Sequence, residues 1–213
     1  MFKRIFLVAV LLSFALPLFA DELKPIKLPP PQLDSGKKLM QALKDRKSER
    51  SFSQKKLNMN VLSNLLWAAD GINRQESGHR TAPSAVNWQE VAIYLATSYG
   101  LFLYEPKEHA IKPVLNQDIR ALTGKQAFAA EAPLDLIYVA DFSKMGGGSA
   151  EEKNLYSAAD TGFISQNVYL YCASEGLATV VRGSIDKDVL AKAMKLSSYQ
   201  RIILAQTVGY PQQ

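Results

Sequence analysis

The 213-residue chain has little sulfur and little imidazole: one cysteine, Cys172, and two histidines, His79 and His109. A single cysteine excludes an intramolecular disulfide, so the fold must be stable without one. Neither C-x-x-C nor H-E-x-x-H occurs, so the sequence offers no recognisable metal site. It also lacks G-x-G-x-x-G after a strand pattern and the P-loop pattern, which leaves Rossmann and P-loop nucleotide sites without support.

An excess of one charge is also nearly absent. The formal net charge is +5, from 25 Lys and Arg against 20 Asp and Glu, and the two signs are interleaved from Asp34 onward. This pattern argues against a nucleic-acid-binding surface, and it suits either anionic small molecules or solubility alone. Apolar residues make up 47% of the chain, which is enough for a buried core, and the length favours one folded domain.

The first 20 residues have the pattern of a secretory signal peptide. Lys3 and Arg4 precede the apolar run 5–16, and Ala20 is followed by two acidic residues. This order predicts export, to the periplasm, with cleavage after Ala20. Leu18 is larger than the small residue preferred three places before the cut, so an uncleaved membrane anchor is the alternative.

Four prolines in residues 21–35 predict an extended lead-in, a tether or strap, ahead of a folded domain at residues 36–213. Apolar residues at helical spacing predict helices at residues 36–47, 61–70, 116–122, 150–175 and 186–195. The expected N-caps are Asp34 or Ser35, then Asn60, Asn116 and, for the last helix, Asp186. Residues 72–81 are expected to form a polar loop.

Alternating or continuous apolar runs predict strands at residues 88–97, 101–104, 110–112, 134–140, 179–182 and 201–208. The second and third form a hairpin whose five-residue turn ends at His109, which is therefore expected to be only a loop residue. Strands and helices do not alternate regularly, so the α+β class is predicted rather than a doubly wound sheet. Small residues make helix 150–175 a candidate central or dimer-core helix, in which Cys172 is expected to be buried rather than reactive.

Three clusters suggest where chemistry could lie. The run Arg46-Lys47-Ser48-Glu49-Arg50 could bind a phosphate, although charge runs at helix ends commonly only complement the helix dipole. In residues 83–89, small residues would let the backbone approach a planar ligand, and Asn87 and Gln89 could bind the edge of a heterocycle; an ordinary loop is the alternative. The third cluster, residues 176–183, by itself marks only a strand.

Taken in order, these clusters resemble the nitroreductase family, especially its branch of SagB-like and thiazoline-oxidase-like dehydrogenases. The resemblance extends from about Leu28 to Pro211. It rests on six segments: Leu28-Pro29-Pro30-Pro31, the R-[RK]-S-x-R run at 46–50, the helix end at 65–72, Arg80-Thr81-Ala82-Pro83-Ser84-Ala85, the long helix ending in Glu175-Gly176-Leu177, and Val208-Gly209-Tyr210-Pro211.

The resemblance implies an α+β sandwich with a central, mostly antiparallel sheet flanked by helices, and a homodimer with FMN at its interface. It implies that the FMN phosphate and ribityl chain contact Arg46, Lys47, Ser48 and Arg50. It places the isoalloxazine ring beside Pro83, Ser84, Ala85, Asn87 and Gln89, with backbone N–H groups of Arg182 and Gly183 near the flavin. No catalytic residue and no metal are assigned.

The implied activity is ping-pong hydride transfer through the flavin N5, to or from a small organic substrate, with NAD(P)H as a candidate electron donor. Many relatives have a longer lid than residues 144–153 provide, and a basic segment after the terminal glycine. One alternative is substrate oxidation with oxygen as the electron acceptor. Another is an exported flavin-binding or other ligand-binding protein that has the same fold and no turnover. No nucleic-acid partner is expected, nor a membrane association unless the signal is uncleaved.

Overall fold

The protein is described by a computed structural model that covers residues 24–212, so the predicted signal peptide lies outside the described residues. The strands are β1 (Ile26–Lys27), β2 (Ile72–Arg74), β3 (His79–Arg80), β4 (Val91–Thr97), β5 (Gly100–Glu105), β6 (Ala110–Leu115), β7 (Leu134–Asp141), β8 (Ala178–Arg182) and β9 (Gln200–Gly209). The helices are α1 (Leu39–Asp45), α2 (Met59–Asp70), α3 (Phe128–Glu131), α4 (Ala150–Glu175) and α5 (Lys187–Ala193).

Seven strands form one sheet in the order β1-β6-β5-β4-β7-β9-β8, and every neighbouring pair is antiparallel. Helices lie on both faces, which confirms the predicted α+β fold with a central antiparallel sheet. Strand β8 occupies one edge of the sheet. The separate β2–β3 pair forms a small hairpin where the sequence suggested only a polar loop.

Successive side chains of a strand point to opposite faces of the sheet, so the core is divided between the two faces. Leu136 of β7 packs with α2 and α4, in a cluster that includes Leu65, Val168 and Cys172. Its neighbour Ile137 faces the other side, where the core includes residues of α5. Cys172 is fully buried, and burial raises the pKa of its thiol, as expected for a small core side chain rather than a nucleophile.

Helix α4 has the bounds that the sequence predicts because both of its ends are specified locally. The Ser149 hydroxyl accepts the Glu152 N–H at 3.2 Å, and the Glu152 carboxylate accepts the Ser149 N–H at 2.7 Å, which completes a capping box. Gly176 ends the helix in the left-handed region, at φ 70°. Within residues 24–212, no helix combines the length and apolarity needed to cross a membrane.

Other local predictions were wrong in detail. Helix α1 is shorter than residues 36–47 and begins after Lys38 without a side-chain cap, because the Lys37 N–H donates to the Ser174 hydroxyl at 2.6 Å and fixes the preceding chain on α4. The side chain of Asn58, not Asn60, caps α2. Residues 116–122 form only a 3-10 turn at Arg120–Leu122.

The Pro-rich segment is extended and lies against the domain. Ile26 of β1 pairs with Ile111 of β6, and Leu28 is buried in the core. The carbonyl of Pro29 accepts hydrogen bonds from the Ser63 hydroxyl, at 2.5 Å, and from the His109 ring, at 3.1 Å. The segment is therefore a strap across the edge of the sheet, and His109 is more than a loop residue.

Candidate functional site

The arginine segment, residues 46–50, rests on helix α4. The Arg46 guanidinium lies 5.4 Å from the ring centroid of Tyr169, and the Ser48 hydroxyl lies 2.9 Å from the Tyr169 hydroxyl. Because α1 packs against α4 in the folded chain, Tyr169 contacts two of the residues predicted to bind phosphate.

The same segment runs along the open edge of β8. The Glu49 N–H donates to the Thr179 carbonyl at 2.9 Å, and the Val181 N–H donates to the Tyr169 hydroxyl at 2.9 Å. Tyr169 therefore contacts both the arginine segment and the strand. A cavity of about 400 Å³ opens at this point, lined among others by Lys47, Tyr169 and Thr179.

Only some of the charged side chains in the arginine segment form ion pairs. Lys47 pairs with Glu49, Nζ to Oε2, at 2.9 Å. Within the described part of the chain, Arg46 and Arg50 form no ion pair with a carboxylate. Arg46 is half-buried and Arg50 is exposed. Their two guanidinium groups are therefore well suited to bind an oxyanion.

Residues 83–89, called the 83–89 loop below, adopt a strained turn. Val86, Asn87 and Gln89 have positive φ values of 50°, 56° and 48°. Such conformations cost about 1–3 kcal/mol each for non-glycine residues and persist only where the surroundings enforce them. The Ser84 hydroxyl accepts the Gln89 N–H at 3.0 Å, which closes the turn from within.

Contacts with α4 and β3 hold the 83–89 loop in place. The Ala85 N–H donates to Asp160 Oδ2 at 2.9 Å, and Trp88 packs edge-on against Tyr156 with 5.8 Å between ring centroids. The Gln89 amide accepts from Arg80 at 3.1 Å and donates to Asn87 Oδ1 at 3.0 Å. The Gln89 side chain therefore has hydrogen-bond partners within its own chain.

Within residues 24–212, the arginine segment and the 83–89 loop lie apart. The first contacts α4 at Tyr169 and the second contacts it at Asp160. Nine residues of helix separate these positions, or about 14 Å at the 1.5 Å rise of an α-helix. The two predicted halves of the site therefore lie at different levels of the same helix.

The Arg182 side chain is buried, whereas Gly183 is exposed at the end of β8. Arg182 donates to Asp135 Oδ1 at 2.6 Å, to the Thr123 carbonyl at 2.6 Å and to the Thr207 hydroxyl at 3.0 Å. Burial lowers the pKa of the guanidinium, and the Asp135 carboxylate opposes this shift. The Arg182 side chain therefore stabilises the fold beside the site.

Sequence reasoning missed a polar segment beside the end of β8. The Lys125 N–H donates to the Ser184 carbonyl at 3.1 Å. Next to it, Gln126 Oε1 is buried and has no hydrogen-bond partner among the described residues. The only signal for it was the polar run Gly124-Lys125-Gln126 between apolar segments.

A group of buried charges behind the 83–89 loop was also missed. Asp70 pairs with Arg80, and Glu90 and Asp160 are 0% and 3% exposed. Burial raises the pKa of Asp70 to about 7, against the effect of Arg80. The sequence pointed to this group of charges only through Asp160, an acidic residue among the small and apolar residues of α4. Within residues 24–212, no three acidic, His or Cys residues are grouped so as to hold a metal ion.

Comparison with known proteins decides the family, since the nitroreductase family profile matches residues 43–210. The chain belongs to the nitroreductase family. A family relative from Methanocaldococcus jannaschii, provisionally named a nitroreductase, is 30% identical over 177 residues, which is 78% of this chain and 89% of that protein.

Solved structures agree with this assignment. A crystal structure from Ralstonia eutropha, also provisionally named a nitroreductase, is 41% identical with a TM-score of 0.86, over 90% of this chain and 91% of that chain. The NADPH:FMN oxidoreductase of Vibrio harveyi, complexed with NAD+, shares the fold at 19% identity and a TM-score of 0.63, over 82% of this chain and 69% of that chain.

Proposed function

We propose that this nitroreductase-family protein is an FMN-dependent oxidoreductase that transfers hydride to or from a small organic substrate in ping-pong order. The observation that carries the proposal is the arginine segment. Arg46 and Arg50 have no carboxylate partner among the described residues, and they border the open edge of β8. A phosphate dianion is the group that such a pair of guanidiniums binds best.

The residues present fit FMN. Arg46, Ser48 and Arg50 would hold its phosphate and ribityl chain, with Lys47 contributing less because it pairs with Glu49. The buried, unpartnered Gln126 Oε1 would accept a hydrogen bond from an N–H on the edge of the ring. Gly183 follows β8 on the edge where Val181 points its N–H, so we expect its N–H to face the cofactor. When bound, FMN supplies hydride transfer at N5.

The 83–89 loop reaches this site from a second protomer. Leu155, Tyr156 and Phe163 on one face of α4 are 66%, 42% and 49% exposed. The small residues Ala158, Ala159 and Gly162 are exposed on the same face, which lets another helix approach closely. A homodimer that buries this face would place each 83–89 loop beside the arginine segment of its partner.

The decisive experiment is an absorbance spectrum of the purified protein after addition of FMN and desalting. We expect flavin bands equivalent to about one FMN per chain, and their loss in the variant Arg46→Ala with Arg50→Ala. The control variant, Lys107→Ala with Lys187→Ala, removes the same charge at exposed positions outside the site. Full retention of FMN by the arginine variant would overturn the proposed phosphate site.

Reduction of the bound flavin separates turnover from storage. NAD(P)H is the proposed electron donor. The Vibrio harveyi enzyme with the same fold is an NADPH:FMN oxidoreductase. Rapid bleaching by NADH or NADPH, followed by reoxidation with a substrate, supports an oxidoreductase. Rapid reoxidation by air after reduction by substrate supports an oxidase instead. Bound flavin that no donor reduces would indicate a ligand-binding protein without turnover.

We also propose that residues 1–20 direct export to the periplasm and are cleaved after Ala20. The support is the sequence itself: Lys3 and Arg4, the apolar run 5–16 and the acidic residues that follow Ala20. The test is fractionation of cells that express the full chain, with N-terminal sequencing. A periplasmic protein that begins at Asp21 is expected, and a cytoplasmic protein that begins at Met1 would contradict the proposal.

A further inference from the structure

Glu90 is a buried carboxyl group directly after the 83–89 loop. Its side chain is 0% exposed, and neither carboxylate oxygen has a hydrogen-bond partner among the described residues. A buried, unpaired negative charge is strongly unfavourable. A proton on Glu90 removes the charge and converts one oxygen into a hydrogen-bond donor.

Asp160 is the acceptor that such a donor would find. It is 3% exposed, it lines the same small cavity as Glu90, and its Oδ2 accepts the Ala85 N–H at 2.9 Å. A carboxyl and a carboxylate side by side can share one proton because two adjacent negative charges repel each other. In that state, Asp160 accepts hydrogen bonds from both Glu90 and the Ala85 N–H.

The surrounding charges favour a bound proton on this group of acids. The acidic groups that interact here are Asp70, Glu90 and Asp160, and the basic groups are Arg80 and Lys144. Arg80 is committed to Asp70 and to Gln89, and Lys144 donates to the Gln89 carbonyl at 3.3 Å. Three acids and two bases become neutral when one proton is bound.

We propose that Glu90 and Asp160 share one proton, and that this proton lets Asp160 act as a positioning residue for the strained 83–89 loop. When the proton leaves, repulsion between the two carboxylates weakens the bond from Asp160 to Ala85. The strained turn then loses an anchor on α4. The inference rests on the proposed function only for the consequence that a misplaced loop binds FMN less tightly.

The pH range follows from the environment of the pair. Burial raises the pKa of Glu90 to about 7, and the negative charge of Asp160 adds to the shift. The 83–89 loop is therefore held firmly in mildly acidic solution and loosens in mildly basic solution.

Trp88 reports on the loop without any flavin. In a Trp67→Phe background, Trp88 is the only tryptophan in the chain, and it packs on Tyr156 of α4. We expect its fluorescence to titrate with a midpoint near the pKa of Glu90, about 7. In the added variant Glu90→Gln most of the signal change should be lost, because the amide donates a hydrogen bond at every pH. A small remaining titration belongs to Asp70, since burial also raises its pKa to about 7.

A second variant separates the charge of Asp160 from its hydrogen bond. Asp160→Asn keeps an oxygen that accepts the Ala85 N–H and gains an N–H for Glu90, so the midpoint should move to lower pH. Asp160→Ala removes the acceptor and should give the loosened signal at every pH. Circular dichroism checks the fold of each variant, and Asp160→Asn alone suffices if Glu90→Gln does not fold.

The Trp88 titration tests the shared proton independently of FMN binding, which tests the proposed function. An unchanged Trp88 titration in Glu90→Gln, or in a folded Asp160→Asn, overturns the shared proton. With FMN added, we expect the affinity of the Trp67→Phe protein to fall about tenfold between mildly acidic and mildly basic pH, a difference of about 1.4 kcal/mol. The affinity of Glu90→Gln should depend much less on pH. A Trp88 titration without FMN binding would support this inference and contradict the cofactor assignment.

Discussion

Arg182 and Asp135 form an ion pair whose side chains are 2% and 0% exposed, with 2.6 Å between Nη2 and Oδ1. The pair joins the end of β8 to the start of β7, and the same guanidinium binds the Thr123 carbonyl. It therefore fixes the segment that bears Gln126 against the end of β8. The family resemblance assigns the backbone N–H of Arg182 to the cofactor, whereas the Arg182 side chain is committed to this buried ion pair.

Removal of one member of this ion pair should strongly destabilise the fold. We expect Asp135→Ala to lower the free energy of unfolding by about 3–5 kcal/mol, because it leaves a buried guanidinium without its counter-charge. Urea denaturation measures the effect. The control is Asp118→Ala at the more exposed pair with Arg120, which should cost less than about 1 kcal/mol.

The double variant Asp135→Leu with Arg182→Met refines this test. It removes both charges, so it should be more stable than Asp135→Ala alone. Equal stabilities of Asp135→Ala and Asp118→Ala would show that the buried pair contributes little to folding.

His109 should make the strap sensitive to acid. Its Nδ1 lies 3.0 Å from the Tyr104 hydroxyl, and its Nε2 lies 2.7 Å from the Ser63 hydroxyl. Burial lowers the pKa of His109 below its usual value near 6.5. The unfolded chain therefore binds this proton more readily than the folded chain, and the stabilisation is lost as the pH falls below about 6.5.

Thermal melts of the wild type and His109→Asn test this effect. Asparagine tolerates the φ of 44° at this position and does not titrate. The variant should be less stable than the wild type at pH 7.5, and the difference should shrink at pH 5. A constant difference would exclude His109 as the titrating group.

The exposed face of α4 should be the dimer interface. Phe163→Lys places a charge among Leu155, Tyr156 and the small residues of this face, so it should convert a dimer into monomers, as measured by light scattering on a sizing column. FMN binding should be lost together with the dimer. Val189→Lys, at an exposed apolar residue of α5, is the control and should leave the mass unchanged. A dimer that survives Phe163→Lys would place the interface elsewhere.

Tyr169→Phe tests the attachment of the arginine segment. The change removes the hydroxyl that contacts Ser48 and accepts from Val181, but it keeps the ring beside Arg46. We expect the dissociation constant for FMN to rise about five- to tenfold, the equivalent of one or two hydrogen bonds. Fluorescence quenching of FMN measures it, with Tyr171→Phe as the control because that hydroxyl contacts Val61 instead. Equal affinities of the two variants would contradict a role for Tyr169.

The sequence by itself determined the elements whose signals are local. Helix α4 has a capping box at Ser149 and a glycine at position 176, and β7 is apolar apart from Asp135 and its last residue, Asp141. Six segments in order, among them 46–50 and 80–85, indicated the family. The predicted cap of α2 was wrong because the helix begins two residues earlier than expected, so Asn58 caps it and Asn60 lies inside it.

Only the tertiary structure decided which polar groups meet. Tyr169 reaches Ser48 across 121 positions in the chain, and Asp160 reaches Ala85 across 75. No periodicity encodes such pairs, because hydrogen bonds and ion pairs form wherever packing brings side chains together. The protonation of Glu90 depends in the same way on burial by distant residues, and burial is a property of the folded chain.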